Sequence, residues 1–421
     1  MPKVYIETYG CSSNQADSEI LAGILKQNGF DVINSLENSD LDILNSCNVK
    51  LVTSHRMIHR IRELTKLNKP LIVAGCMPKI ERRVIEKTNP RASMLGPDSI
   101  EKIVDVAHET LQGKKILFLK DLRKPKTCLP RMRRNPIIDI IQIAIGCLSN
   151  CSYCSVKFAR GKLFSYSPKM IVKEVEQAIN NGCKELWLTS QDCGCWGRDL
   201  NSNLSELLRT ICKIEGKFLV RLGMMNPTHI KDIVYGLVNS YKSEKIFKFL
   251  HLPVQSGSNR ILKKMNRGYT VNDFKKIIKE FRKEFPLLTL STDVIVGFPE
   301  EDKKDFQRTV NLMKEVKPDI VNVSKFGPRP RTKAAKMRQL PWEIINEQTK
   351  KLVKIIEKIK LENNKKWLNW EGEVLIDEKG KKGGRIGRNF AYKPVITDGK
   401  IGTFRKVKIT EIHSNYLNGK D

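Results

Sequence analysis

The chain has 421 residues, of which 40% are apolar and 29% charged. That length exceeds one ordinary core and that balance excludes a disordered chain, so two or three globular domains are expected. Lys and Arg number 76 against 46 Asp and Glu, a formal charge of +30 that implies a polyanionic partner, nucleic acid before an anionic membrane surface. No apolar run reaches the roughly 18 residues of a membrane span. Asp139 and Gln142 interrupt the best stretch, 137–145. The first residues lack the apolar stretch of a signal peptide. A cytoplasmic protein with no membrane partner is expected. In that compartment the eleven cysteines read as metal ligands or free thiols.

The first ~115 residues alternate strand and helix signals. Strands are predicted over 4–8, 30–33, 42–45 and 70–74, with helices over 16–27 and 49–67. This is a small doubly wound α/β pattern. Cys11, Cys47 and Cys76 each directly follow a predicted strand. The carboxyl ends of parallel strands share one edge, so three cysteines far apart in sequence converge there. Gly10 and Gly75 let backbone approach a bulky ligand. The set reads as a cluster site; the alternative is three small buried thiols at strand ends. Residues 120–134 hold two prolines, seven basic residues and one acid. They read as an interdomain linker, either a solvated tether or a phosphate-binding strap.

Further strands are predicted over 137–144, 185–189, 218–223, 247–251, 289–296 and 319–324, with helices between them such as 168–180 and 302–315. Six βα repeats suggest a partial, open parallel barrel with its active site at the carboxyl ends of the strands. Polar motifs follow the strands in turn. The first is a Cys-x3-Cys-x2-Cys run of Cys147, Cys151 and Cys154. Four cysteines normally hold a 4Fe–4S cluster, so three leave one iron open for a substrate or cofactor. A structural zinc site is the bland alternative, but such sites usually pair two knuckles or add His. Ser190, Gln191 and Asp192 follow the second strand, Met225 to Pro227 the third, Pro253 to Ser256 the fourth, Gly297 to Glu300 the fifth and Lys325 to Gly327 the sixth.

A long helix over about 342–369 leads into short strands at 372–376, 384–387, 393–396 and 402–412, the pattern of a small five-stranded OB-type barrel. After Asn364 the tail holds 13 basic and 7 acidic residues. Phe390, Tyr392 and Phe404 are available to stack on RNA or to fill the core.

Beyond the Cys147 run, Glu7 to Cys11, Asn45 to Cys47, Ala74 to Cys76, Arg160-Gly161 and His251 to Ser258 complete a set of motifs that covers the chain. On these residues it resembles the radical S-adenosylmethionine (SAM) methylthiotransferases. Thr189 to Asp192 and Arg221 to Pro227 are similar to the archaeal and eukaryotic branch. The resemblance implies an N-terminal cluster domain over 1–118, the basic linker over 119–135, a radical-SAM domain over 136–363 and an RNA-binding TRAM domain over 364–421. It implies two 4Fe–4S clusters, one on Cys11, Cys47 and Cys76, the other binding SAM on Cys147, Cys151 and Cys154. It further implies a low-potential electron donor and a tRNA substrate. The expected reaction converts N6-threonylcarbamoyladenosine beside the anticodon (position 37) to its 2-methylthio derivative. Near alternatives are isopentenyladenosine in tRNA or a ribosomal protein. A rival of another class is a non-catalytic iron–sulfur RNA-binding protein.

Tyr153, Gln191, Gln255, Ser256 and Asp293 are the expected SAM contacts, and Arg160, Arg329 and Arg331 the expected substrate contacts, since Arg suits planar anions. Ser46 departs from the family's usual Thr, and Cys193 and Cys195 stand where the family has small non-thiol residues. They read as packing thiols, with redox chemistry as the alternative. Cys128, Cys183 and Cys212 have no partner spacing. The hydrophobic C-terminal anchor of the eukaryotic members is not expected here.

Overall fold

In the computed structural model, residues 1–380 and 383–420 are described. The N-terminal unit is a six-stranded parallel sheet. Its strands lie in the order Asp31–Ile33, Lys3–Thr8, Leu41–Ser46, Leu71–Gly75, Ser93–Leu95 and Leu117–Phe118. Alternate side chains feed two cores. Ile43 and Ile72 face Ile20, Leu21 and Leu25 of helix Ser12–Gln27. Leu44 and Val73 face Met57, Ile61 and Leu64 of helix Leu51–Lys66. The strand order reverses between Lys3–Thr8 and Leu41–Ser46, the kind of switch point where doubly wound sheets bind ligands. The last two strands, Ser93–Leu95 and Leu117–Phe118, are only three and two residues long, too short to leave a periodic signal in the sequence.

The central unit has six parallel strands in two hydrogen-bonded groups. Leu219–Leu222, Glu185–Thr189 and Ile138–Gln142 form one; Phe249–His251, Thr289–Val296 and Ile320–Lys325 form the other. A bridge joins them where the Phe247 amide donates to the Val220 carbonyl at 3.1 Å. The barrel is open, with Ile138–Gln142 and Ile320–Lys325 at its edges. Helix Ser12–Gln27 packs on the first of these edges, where Gln142 Nε2 donates to Ser13 O at 3.1 Å and Asp17 Oδ1 at 2.7 Å.

The segment between the two units is not a solvated tether throughout: Lys126, Arg131 and Arg133 are tied down, while Lys120, Arg123, Lys124 and Arg134 stay exposed. Lys126 is 3% exposed and its Nζ donates to Asp17 Oδ1 and Pro97 O, both at 2.6 Å. Arg131 is ion-paired with Asp139 and Glu174, and Arg133 with Asp139. Burying the apolar stems beside paired carboxylates turns a basic linker into structural mortar.

Strands Glu371–Lys379, Arg385–Asn389, Pro394–Thr397, Leu417–Lys420 and Phe404–Ile412 close into a barrel in that order. Val374, Ile376, Val395, Val407 and Ile409 fill it together with Trp367 from the end of helix Trp342–Lys365. Tyr392 and Phe404 are used for packing, while Phe390 stays 38% exposed. Tyr392 is 8% exposed, lies against Phe247 and Phe249, and its hydroxyl contacts Glu185. Phe404 packs toward Ile137 and Ile138, and Phe390 lies against Trp367 and Trp370. Among the described residues no helix is long and apolar enough to cross a membrane.

Candidate iron–sulfur and cofactor site

Both cysteine triads open on one cavity of about 370 Å³, between the N-terminal sheet edge and the carboxyl rim of the barrel. Cys11 stands at the N-terminus of helix Ser12–Gln27, Cys47 just past strand Leu41–Ser46, and Cys76 just past Leu71–Gly75. The turn before Cys11 needs glycine. Gly10 has φ +123°, and a Cβ there would stand 2.8 Å from Cys47 Cβ. Asn14 ties two of these loops by donating to Tyr9 O and Ser46 O, each at 2.9 Å.

Burial pushes the Cys47 thiol up to about 12 and raises Cys76, against the opposing pull of Arg160. Such thiols are protonated as free groups and give up their protons to a metal. The charges beside them fit an anionic occupant. Arg160 is 2% exposed, and its Nη2 donates to Asn14 Oδ1 and Asp17 Oδ2, both at 2.8 Å. Its Nη1 is buried without a hydrogen-bond partner. Arg160 and Lys126 both pair with the carboxylate of Asp17, and the buried Asp98 carboxyl lies near them too. Burial works against ionised Asp17, yet these two cations hold its carboxyl below the usual range. An uncompensated buried cation is costly, and a cluster with thiolate ligands would neutralise it.

The other triad also meets donors aimed at sulfur. Arg267 Nη1 donates to Cys151 Sγ and the Ser149 amide to Cys147 Sγ, each at 3.3 Å. Hydrogen bonds of this kind stabilise ligating thiolates and set cluster potential. Burial raises Cys154 to about 11. Gly146, at φ +77°, packs its Cα against the Lys162 carbonyl and turns the chain into this loop. The ligand atoms of Cys147, Asp192 and His229 also lie within 4.8 Å of one another. That is a zinc-type donor set, but it shares Cys147 with the triad, so the two cannot be filled together.

Among the expected SAM contacts, Tyr153, Gln191, Gln255 and Asp293 line the cavity. Gln191 Oε1 accepts from the Gly146 amide at 2.6 Å, and Asp293 accepts from Asn322 Nδ2 at 2.7 Å and pairs with His251 at 3.2 Å. Gln255 adopts φ +69°. Ser256 is fully buried behind the rim, where its hydroxyl accepts from the Ser258 amide at 3.2 Å. Of the three arginines, Arg160 reaches the cavity. Arg329 is 3% exposed and tied to Asn48 and Glu81 of the N-terminal unit, and the Arg331 guanidinium lies 4.3 Å from the Phe158 ring. Sequence reasoning passed over Arg267, Asn14 and His229. Arg267 lies 116 residues from the cysteine that it contacts, and no local spacing marks it.

Sequence signatures of the "Uncharacterized protein family UPF0004", the Radical SAM superfamily and the TRAM domain match residues 3–96, 141–313 and 371–420. The probable threonylcarbamoyladenosine tRNA methylthiotransferase of Pyrococcus abyssi is 45% identical, over 100% of this chain and 99% of that protein. The threonylcarbamoyladenosine tRNA methylthiotransferase of Homo sapiens is 35% identical, over 99% of this chain and 74% of the human protein. Among solved structures, the radical SAM methyltransferase TsrM of Kitasatospora setae superposes with a TM-score of 0.57 at 15% identity. The match covers 80% of this chain and 75% of that one, a likeness of fold alone. The chain belongs to the threonylcarbamoyladenosine tRNA methylthiotransferase family of radical SAM enzymes.

Proposed function

We propose that the protein replaces the C2 hydrogen of N6-threonylcarbamoyladenosine in tRNA with a methylthio group. The observation that carries this reading is the single cavity shared by the two cysteine triads. A C2–H of adenine is not acidic, so no side-chain base removes it. When bound, SAM and two 4Fe–4S clusters supply the radical that takes this hydrogen and the methylated sulfur that replaces it.

The chain's own residues hold these parts together. Cys147, Cys151 and Cys154 are the ligands for the SAM-binding cluster, and Cys11, Cys47 and Cys76 for the second. Arg267 and the Ser149 amide steady the first set of sulfurs. Arg160 places positive charge beside the second set. Tyr153, Gln191, Gln255 and Asp293 are placed to orient SAM on the rim. The walls of the cavity keep water from a reactive intermediate. Domain limits at about 118, 135 and 363, a low-potential electron donor and a cytoplasmic location complete the reading.

The test is mass spectrometry of nucleosides. Protein reconstituted anaerobically with iron and sulfide receives SAM, a reductant and tRNA carrying threonylcarbamoyladenosine. A mass gain of one methylthio group on that nucleoside is expected. 5′-Deoxyadenosine without the gain would reject this substrate. Neither product, with the Cys147 cluster intact, would reject the enzyme reading.

A further inference from the structure

Of the tail aromatics expected to stack on RNA, Tyr392 is buried while Phe390 stays 38% exposed. A further exposed aromatic stands against a lysine that lines a hollow adjoining the reaction cavity. A second hollow of about 270 Å³ continues that cavity, sharing Val49, Tyr153, Gln255 and Asp293 with it. Its outer wall carries Lys50, Lys325 and Arg329. Lys325 Nζ lies 5.1 Å from the ring centroid of Trp342 and donates to Asn346 Oδ1. Trp342 is 47% exposed, at the start of helix Trp342–Lys365. A large flat ring left open to solvent next to a lysine has no packing role to explain it. Elsewhere near the cavity, Lys157 and Arg331 lie 5.2 and 4.3 Å from Phe158. Flat rings interleaved with cations are what a single-stranded nucleic acid segment recognises, base on ring and phosphate on cation.

We propose that Trp342, with Lys325 beside it, is the stacking platform for a nucleotide that neighbours the target adenosine in the tRNA loop. The inference rests on the tRNA reading above and adds where the loop is gripped. The barrel domain itself, and not the C-terminal barrel alone, selects single-stranded RNA at the cavity mouth. The second hollow leads on toward the C-terminal barrel. Asn322 is shared with a third hollow of about 330 Å³ that is lined by Arg221, Lys360 and Tyr416.

The test compares full-length protein with W342A, W342L and W342F. The probes are an anticodon stem-loop carrying threonylcarbamoyladenosine and a blunt duplex with the same stem, both read by fluorescence anisotropy. Base–ring stacking predicts at least a fivefold loss of stem-loop affinity in W342A. W342L should fall with it, because its bulk is apolar but not flat, and W342F should recover most of the loss. Duplex affinity should change less than twofold. The inference is overturned if W342A binds the stem-loop as tightly as the parent, if stem-loop and duplex affinities fall in the same ratio, or if W342L rescues as well as W342F. A parent protein that neither prefers the stem-loop nor modifies it would fail the tRNA reading itself and take the inference down with it. Unaltered RNA binding combined with slower cluster reduction in W342A would assign the ring to a protein donor and reject the RNA platform.

Discussion

Arg160 carries a positive charge into a place that water does not reach, and what it faces decides how the six cysteines work. It comes from the radical-SAM unit, yet it bonds Asn14 and Asp17 of the N-terminal unit and sits beside the Cys76 thiol. The two triads are thus chemically distinct. One meets the guanidinium of Arg267 at Cys151, the other that of Arg160 near Cys76. Replacing Cys11, Cys47 and Cys76 together with Ala is expected to remove about half the iron, to spare SAM cleavage and to abolish methylthiolation. Iron analysis, 5′-deoxyadenosine yield and the modified nucleoside check the three parts separately; full product from the triple variant would end the two-cluster reading. All six cysteines were legible in the sequence, three by tight spacing and three by their place after strands. Arg267 was not, because the fold pairs it with Cys151 across 116 residues, and Arg160 was read as a substrate contact rather than as a neighbour of Cys76. Cys193 and Cys195 are both fully buried, and Cys195 Sγ donates to the Asp192 carbonyl at 3.1 Å and lies beside the Cys147 thiol.

Helix Ser12–Gln27 shows how one element carries both fold and site. Its first turn bears Asn14, its second Asp17, and its far face packs Ile20, Leu21 and Leu25 into the sheet. Gly23 lies where the linker crosses, and a Cβ there would run into the backbone of Pro130 and Arg131. In an isolated helix Gly→Ala gains about 1 kcal/mol. Here the linker backbone cannot yield like a flexible side chain, and overpacking costs typically 1–3 kcal/mol. Gly23→Ala is therefore expected to lower stability by up to about 2 kcal/mol net, measured by denaturant unfolding. A stabilised variant would mean that the linker moves aside freely. The helix itself was visible in the sequence as an amphipathic run. The crossing was not, since seven basic residues and two prolines read equally well as a tether. Only tertiary contact reveals that Lys126 and Arg131 are buried against carboxylates.

Across the whole molecule, sulfur chemistry and radical chemistry can meet only if two separately folded units hold one cavity closed between them. Asp17 is the shared hinge-pin of that closure. It accepts from Lys126 of the linker, from Arg160 and Gln142 of the barrel unit, and it belongs to the N-terminal helix. Asp17→Asn keeps the shape and removes the charge, which takes from two buried cations the anion they bond directly and leaves Asp98 as their neighbouring carboxyl. Breaking a buried pair in this way costs about 3–5 kcal/mol. Asp17 has its pKa depressed in the fold, so its contribution is present above the unfolded carboxylate value of about 4 and is lost as pH falls through the folded value. The stability gap between parent and D17N should accordingly be full at pH 7 and shrink in acid. The functional consequence is a loss of coupling, since neither triad loses a ligand. Cluster iron and SAM cleavage should persist in D17N, while the ratio of methylthiolated nucleoside to 5′-deoxyadenosine falls at least tenfold. That ratio is the measurement to make. If it stays at the parent value while the protein is destabilised, the ionic contact holds the fold together without aligning the two sites.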